Sequence, residues 1–290
     1  MVSNDYHGFP ILTLSNALIS LDLLSGGPHI VSLRYRGGAN LFGELFEQKD
    51  TGYGNYYSFG GHRLWHSPEA MPRTYLPNAG EAQVEEIPNG VRITRPPEPV
   101  GGIVKQIEVQ LDPEKAVIVV QHRLANHGVW PVECAAWALT MLKLGGKAIL
   151  PLPNMPADAD GMLPNRQLTF WPYMHIHDPR LDLHDDFITV SADPLIPPIK
   201  LGYFNPHGWL AYWLEGVLFV KRFSPNPGSP FPDGGCNAEL YCNDQFIELE
   251  SLGPLAKLEP GKSIIHTETW ELFDGLDLPF IPADLKKRLA

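Results

Sequence analysis

The chain has 290 residues, 44% of them hydrophobic and 19% charged, which is enough apolar material for a sizeable core and too little charge for a disordered chain. Its 27 Gly and 29 Pro interrupt helices and argue against a helical bundle. With 22 Lys and Arg against 33 Asp and Glu, the net charge of -11 argues against a nucleic-acid backbone or an anionic membrane as partner.

Taken in chain order, the dominant period is two. Residues 17–24 place Ala17, Ile19, Leu21 and Leu23 on one face, Gly26-Gly27-Pro28 turns the chain, and 29–35 returns with Val31, Leu33 and Tyr35 on one side. Residues 103–111 alternate Ile103, Ile107, Val109 and Leu111 with Gln106, Glu108 and Gln110. Asp112-Pro113 then marks a turn into a strand over 116–124. Further strands are predicted at 91–94, 188–191, 208–212, 217–223, 239–243, 246–252 and 263–273, and a single weak helix at 283–289. That pattern predicts an all-β chain: one domain over 1–290, built as a large antiparallel β-sandwich.

The stretch 151–200 departs from the period. It holds nine prolines, with Trp171, Tyr173, His175, His177 and His184 among them, and reads as a loop region covering a cleft on one face of the sandwich. Outside it, the cationic run Lys286-Lys287-Arg288 reads as a solvated helix end. Cys134, Cys236 and Cys242 are too few for a disulfide framework; a Cys236–Cys242 bridge and free buried thiols both fit, and thiols suit a reducing compartment. Without a signal-peptide pattern or an apolar run near the roughly 20 residues of a membrane span, the expectation is a soluble cytoplasmic protein.

Three constellations carry chemistry. The first is GNYYSFGGHRLWHSPE, residues 54–69, in which guanidinium and imidazole groups suit hydroxyls and an indole suits the C–H face of a sugar. Here His62, Arg63, Trp65 and Glu69 are candidate substrate contacts, with His66 a candidate acid; a structural Arg–Glu network, or His62 and His66 as metal ligands, are the alternatives. The second, MHIHDPRLDLHDD over 174–186, offers His175 as a ligand contact beside Trp171, or a metal set of His175, His177 and His184, or a plain polar lid. In the third, Glu248 and Glu250 stand at i and i+2 of one strand and share a face, with Glu239 shortly before them; the alternative is an exposed acidic strand face. Arg63 and Lys221 are the cations available to a single anionic group.

Several segments resemble the aldose 1-epimerase (galactose mutarotase) superfamily. SLDLLSGGPHIVSLRYRGGANLF is similar to its opening hairpin, HRLANHGVWPVECAAWALT to its central segment, and FIELESLGPLAKLEPGKSIIHTETWELF to its closing strands; GGHRLWHSPE resembles an uncharacterised branch. The resemblance implies a β-sandwich with the sugar in a cleft across one sheet. It also implies a glutamate that takes the proton of the C1 hydroxyl and a histidine that protonates the ring oxygen. By motif position the glutamate is Glu250. The histidine falls on Leu139 in one alignment and on His127, after Asn126, in another, which leaves His127, His66 or His175 to serve as acid. The resulting expectation is a carbohydrate isomerase with no metal and no cofactor. The alternatives are a binding protein that lost the proton donor, and a metal-dependent sugar-modifying enzyme.

Overall fold

The computed structural model describes residues 5–275. The weak helix and cationic run expected near the C-terminus lie outside them. Two large antiparallel sheets face each other, one of eleven strands and one of ten, with a separate two-stranded ribbon from Glu44–Asp50 and Asn55–Gly60. The only helical element among the described residues is a 3₁₀ turn at Arg73–Tyr75. The expected all-β antiparallel sandwich is what the chain forms.

Alternation builds it. Ile107, Val109, Ile118 and Val120 from the ten-stranded sheet meet Leu21, Leu33, Leu201, Leu240 and Leu249 from the eleven-stranded sheet in one continuous core. The strands at His29–Tyr35, Ile103–Leu111 and Val217–Phe223 have the expected bounds. The Pro-rich stretch contains more order than its sequence suggested: Thr169–Phe170, Leu181–Leu183 and Ile199–Tyr203 are strands, the last almost wholly apolar and buried. Cys134, Cys236 and Cys242 are free and buried, so no Cys236–Cys242 bridge forms. Among the described residues no helix is long and apolar enough to cross a membrane.

The strands that matter for chemistry run side by side through the eleven-stranded sheet in the order His62–Ser67, Val132–Leu142, Ile247–Leu252, Ala238–Cys242, Ile199–Tyr203. Their register places Arg63 opposite Leu139, Leu139 opposite Glu250, and Glu250 opposite Glu239. The next like-facing row is Met141, Glu248, Tyr241 and Lys200, and on the other side lie Trp65, Trp137 and Leu252. Residues paired across a sheet point to one face, so these three rows form one continuous surface directed away from the second sheet.

Candidate functional site: a carboxylate-rich cleft

That surface is the floor of an open cleft of about 390 Å³, within the size range of small-molecule sites. Arg63, Trp65, Trp137, Lys200, Tyr241, Glu248 and Glu250 come from the sheet, Glu69 and Tyr75 from the chain after His62–Ser67, and Tyr173 and Pro198 from the Pro-rich stretch. Two ion-pair systems organise it. Arg63 Nη1 donates to Glu248 Oε1 at 2.7 Å, and its guanidinium lies 4.3 Å from the Trp65 ring centroid. Lys200 Nζ donates to both oxygens of Glu250, at 2.7 and 2.6 Å, and lies 2.8 Å from Glu239 Oε2. Trp137 Nε1 adds a third hydrogen bond to Glu250 at 2.8 Å, and its indole meets that of Trp65 edge to face at 5.3 Å.

Glu239 sits beneath this group, fully buried, with its Oε1 accepting no hydrogen bond. Burial, set against the Lys200 ammonium and reinforced by Glu250 and Asp233, pushes its pKa up to about 8. Lys200, held between two carboxylates, is pushed well above the ordinary lysine value despite its burial. A raised carboxyl pKa in the folded state costs stability as pH rises. Below the ordinary carboxylate range both states are protonated; from there to about 8 the unfolded chain ionises while the folded one keeps its proton. Glu239→Gln is therefore expected to flatten the stability profile between pH 5 and pH 8. Its advantage over the native chain should grow by at most about 1.4 kcal/mol per pH unit and be largest at pH 8. Urea unfolding at both pH values checks it, and parallel profiles for the two proteins would refute the assignment.

The structure brings Arg63, Trp65, Glu69, Glu248 and Glu250 together in the cleft, with Glu239 beneath and Trp171 5.0 Å from Lys200. It does not bring the histidines. Along His62–Ser67 the even positions face the other sheet, so His66 binds Glu98 at 3.2 Å on the far side of the strand from Arg63, and Glu98 is held by Lys105 at 2.7 Å. His127 lies exposed in the turn after Val117–Asn126, and His175 is exposed outside the cleft lining. His62 and Lys221, expected as ligand contacts, do not reach the cleft either: both are fully buried between the sheets.

They belong to a second polar network. His122 Nδ1 donates to the His266 carbonyl at 3.0 Å, which leaves its Nε2 to accept from His62 Nε2 at 2.7 Å; His62 Nδ1 then accepts from Thr140 at 2.9 Å. Lys221 Nζ meets Glu268 Oε1 at 2.8 Å, the Ala138 carbonyl at 2.8 Å and Thr140 Oγ1 at 3.0 Å. Burial lowers the basicity of His62 and His122, and pulls His266 down to about 3. Of the described residues, His62, His122 and Glu268 form the one group with the spacing of metal ligands, within 4.8 Å of each other. Both imidazoles are satisfied by neighbours and the Lys221 ammonium already supplies the cation, so the donor set closes without a metal. His175, His177 and His184 do not assemble into such a group.

Lys200, Trp137, Tyr173 and Tyr241 lie in the cleft without having been singled out as site residues. A signal for Lys200 exists: it is the single charge in PLIPPIKLGYF, residues 194–204, and a lone cation in an apolar strand needs a carboxylate partner.

No protein-family model and no curated protein sequence matches this chain. Solved structures do. A candidate aldose 1-epimerase from Escherichia coli K12 superposes with a TM-score of 0.59 at 14% identity, over 92% of this chain and 100% of that one. A candidate mutarotase from Salmonella typhimurium gives 0.61 at 10% identity, over 93% and 92%. A TPR-domain containing protein from Parabacteroides distasonis gives 0.63 at 13%, over 95% of this chain but 50% of that one. Two facing antiparallel sheets of this size, superposing over nine-tenths of the chain on such proteins, make this a galactose mutarotase-like fold.

Proposed function

We propose that the chain binds a neutral carbohydrate in the cleft and interconverts its anomers by proton transfer. The observation that carries this reading is the placement of the Glu250 carboxylate beside the Arg63–Glu248 pair on a floor walled by Trp65 and Trp137. Carboxylate and guanidinium groups bond hydroxyls in fixed directions, and indoles cover the apolar face of a sugar ring. Charge favours a neutral ligand over a phosphorylated one. Arg63 is spent on Glu248, and Lys200 on Glu239 and Glu250, so neither cation is left for an added anion. The shared fold of proteins described as an aldose 1-epimerase and a mutarotase supports the same chemistry.

A second reading, a carbohydrate-binding protein without catalysis, draws on Leu139. It lies directly between Arg63 and Glu250 in the register, and it has no proton to give. NMR anomer exchange on a panel of neutral aldohexoses and aldopentoses separates the two. The expected result is saturable acceleration over the rate in buffer. Saturable binding without acceleration would leave the binding protein, and neither effect would remove the carbohydrate reading.

A further inference from the structure

We infer that Lys200 is the group that protonates the ring oxygen, acting with Glu250 as one hydrogen-bonded acid–base pair. The inference rests on the isomerising reading above and adds to it the identity of the acid. Among the described residues no histidine lines the cleft. Of the residues that do, Arg63 cannot release a proton, and the side chains that donate to Glu250 are Lys200 and Trp137, whose indole N–H is not an acid. Lys200 is the cleft residue that is both able to lose a proton and bonded to Glu250, through both carboxylate oxygens.

The geometry suits the reaction. The hydroxyl oxygen that loses a proton and the ring oxygen that gains one are bonded to the same carbon, so base and acid must present neighbouring atoms. Glu250 Oε2 and Lys200 Nζ stand 2.6 Å apart. Glu250 takes the proton of the C1 hydroxyl, C1=O forms as the C1–ring oxygen bond breaks, and the ring oxygen takes a proton from Lys200. The neutral amine then recovers a proton from Glu250 across their hydrogen bond. After rotation about C1–C2, the same transfers run in reverse and close the ring on the other face. No outside reactant enters.

The resting ammonium is a poor acid because the Glu250 carboxylate holds its proton through both oxygens. Proton transfer to Glu250 removes that charge at the moment the acid is needed. Glu239, with Oε2 2.8 Å from Lys200 Nζ, is a positioning residue: it does not line the cleft, and while protonated it leaves Lys200 free to give up its proton. The titratable groups facing Glu239 are Lys200, Glu250, Asp233 and Cys236. Their balance places its titration at about 8, above which the ionised carboxylate should hold Lys200 and slow the reaction.

The test is Lys200→Arg, together with the charge-balanced pair Lys200→Met/Glu239→Gln. An arginine keeps the cation and its hydrogen bonds but does not deprotonate. Either variant is expected to bind the aldose that the native protein turns over while losing roughly 10²–10⁴-fold in exchange rate, the range for a general acid. The native protein alone supplies a third measurement, an exchange rate that falls as pH rises through about 8. A folded variant that exchanges within a few-fold of the native rate would overturn the role of Lys200, and so would a native profile flat from pH 6 to 10. A native protein that accelerates no aldose on the panel would instead remove the isomerising reading, and this inference with it.

Discussion

Glu250→Gln is expected to cut anomer exchange by roughly 10²–10⁴-fold, the contribution of a positioned general base, with the fold retained. The glutamine keeps the shape and can still accept from Trp137 Nε1, which the native carboxylate does at 2.8 Å. Lys200 keeps a carboxylate partner because Glu239 stays 2.8 Å away. Removing the Glu250 charge also relieves its repulsion of Glu239, one of the causes that raise the Glu239 carboxyl. The stability change is therefore expected to stay near about 1 kcal/mol, well short of what unfolds a domain. NMR exchange and thermal unfolding on the same sample check both halves. A Glu250→Gln protein that exchanges at the native rate would take the glutamate out of the reaction. One that unfolds would make it a structural ion.

Lys221→Met is expected to have the larger effect on stability, a loss of about 3–5 kcal/mol, as when one partner of a buried ion pair is removed. Lys221 has no exposed surface and ties the two sheets together. From the ten-stranded sheet it reaches Glu268 on the adjacent strand, and across the interface it donates to the Ala138 carbonyl and to Thr140 Oγ1. Its loss leaves the Glu268 carboxylate buried with only Ser251, Trp270 and the neutral histidines around it. Adding Glu268→Gln to Lys221→Met should return part of the loss, because a neutral amide costs less to bury than an unpaired charge. Urea unfolding of both variants measures it. A single variant within about 1 kcal/mol of native stability would show the network to be dispensable.

Alternation along the strands was enough to determine the architecture from sequence. Residues 103–111 carry their facing in their own apolar period, and Ile103–Leu111 forms with those bounds. Glu248 and Glu250 share a face for the same reason, since a two-residue spacing on a strand fixes it. The strands His62–Ser67 and Val132–Leu142 were harder to read. Every residue of the first is buried, and nine of the eleven residues of the second are, so neither shows a polar side. In GGHRLWHSPE the two histidines and the Arg63–Trp65 pair looked equally suited to a ligand. Only packing of the second sheet against one side of that strand sends His62 and His66 inward and leaves Arg63 and Trp65 to the cleft. The pairing of Lys200 with Glu239 and Glu250 was beyond local reading for a related reason. Each is a charge whose partner lies on another strand, 39 residues or more away in the chain, and a buried charge takes its role from that partner rather than from its neighbours in sequence. Sequence determined which residues alternate; the stacking of two sheets decided which side of each strand meets the cleft and which carboxylate meets the lysine.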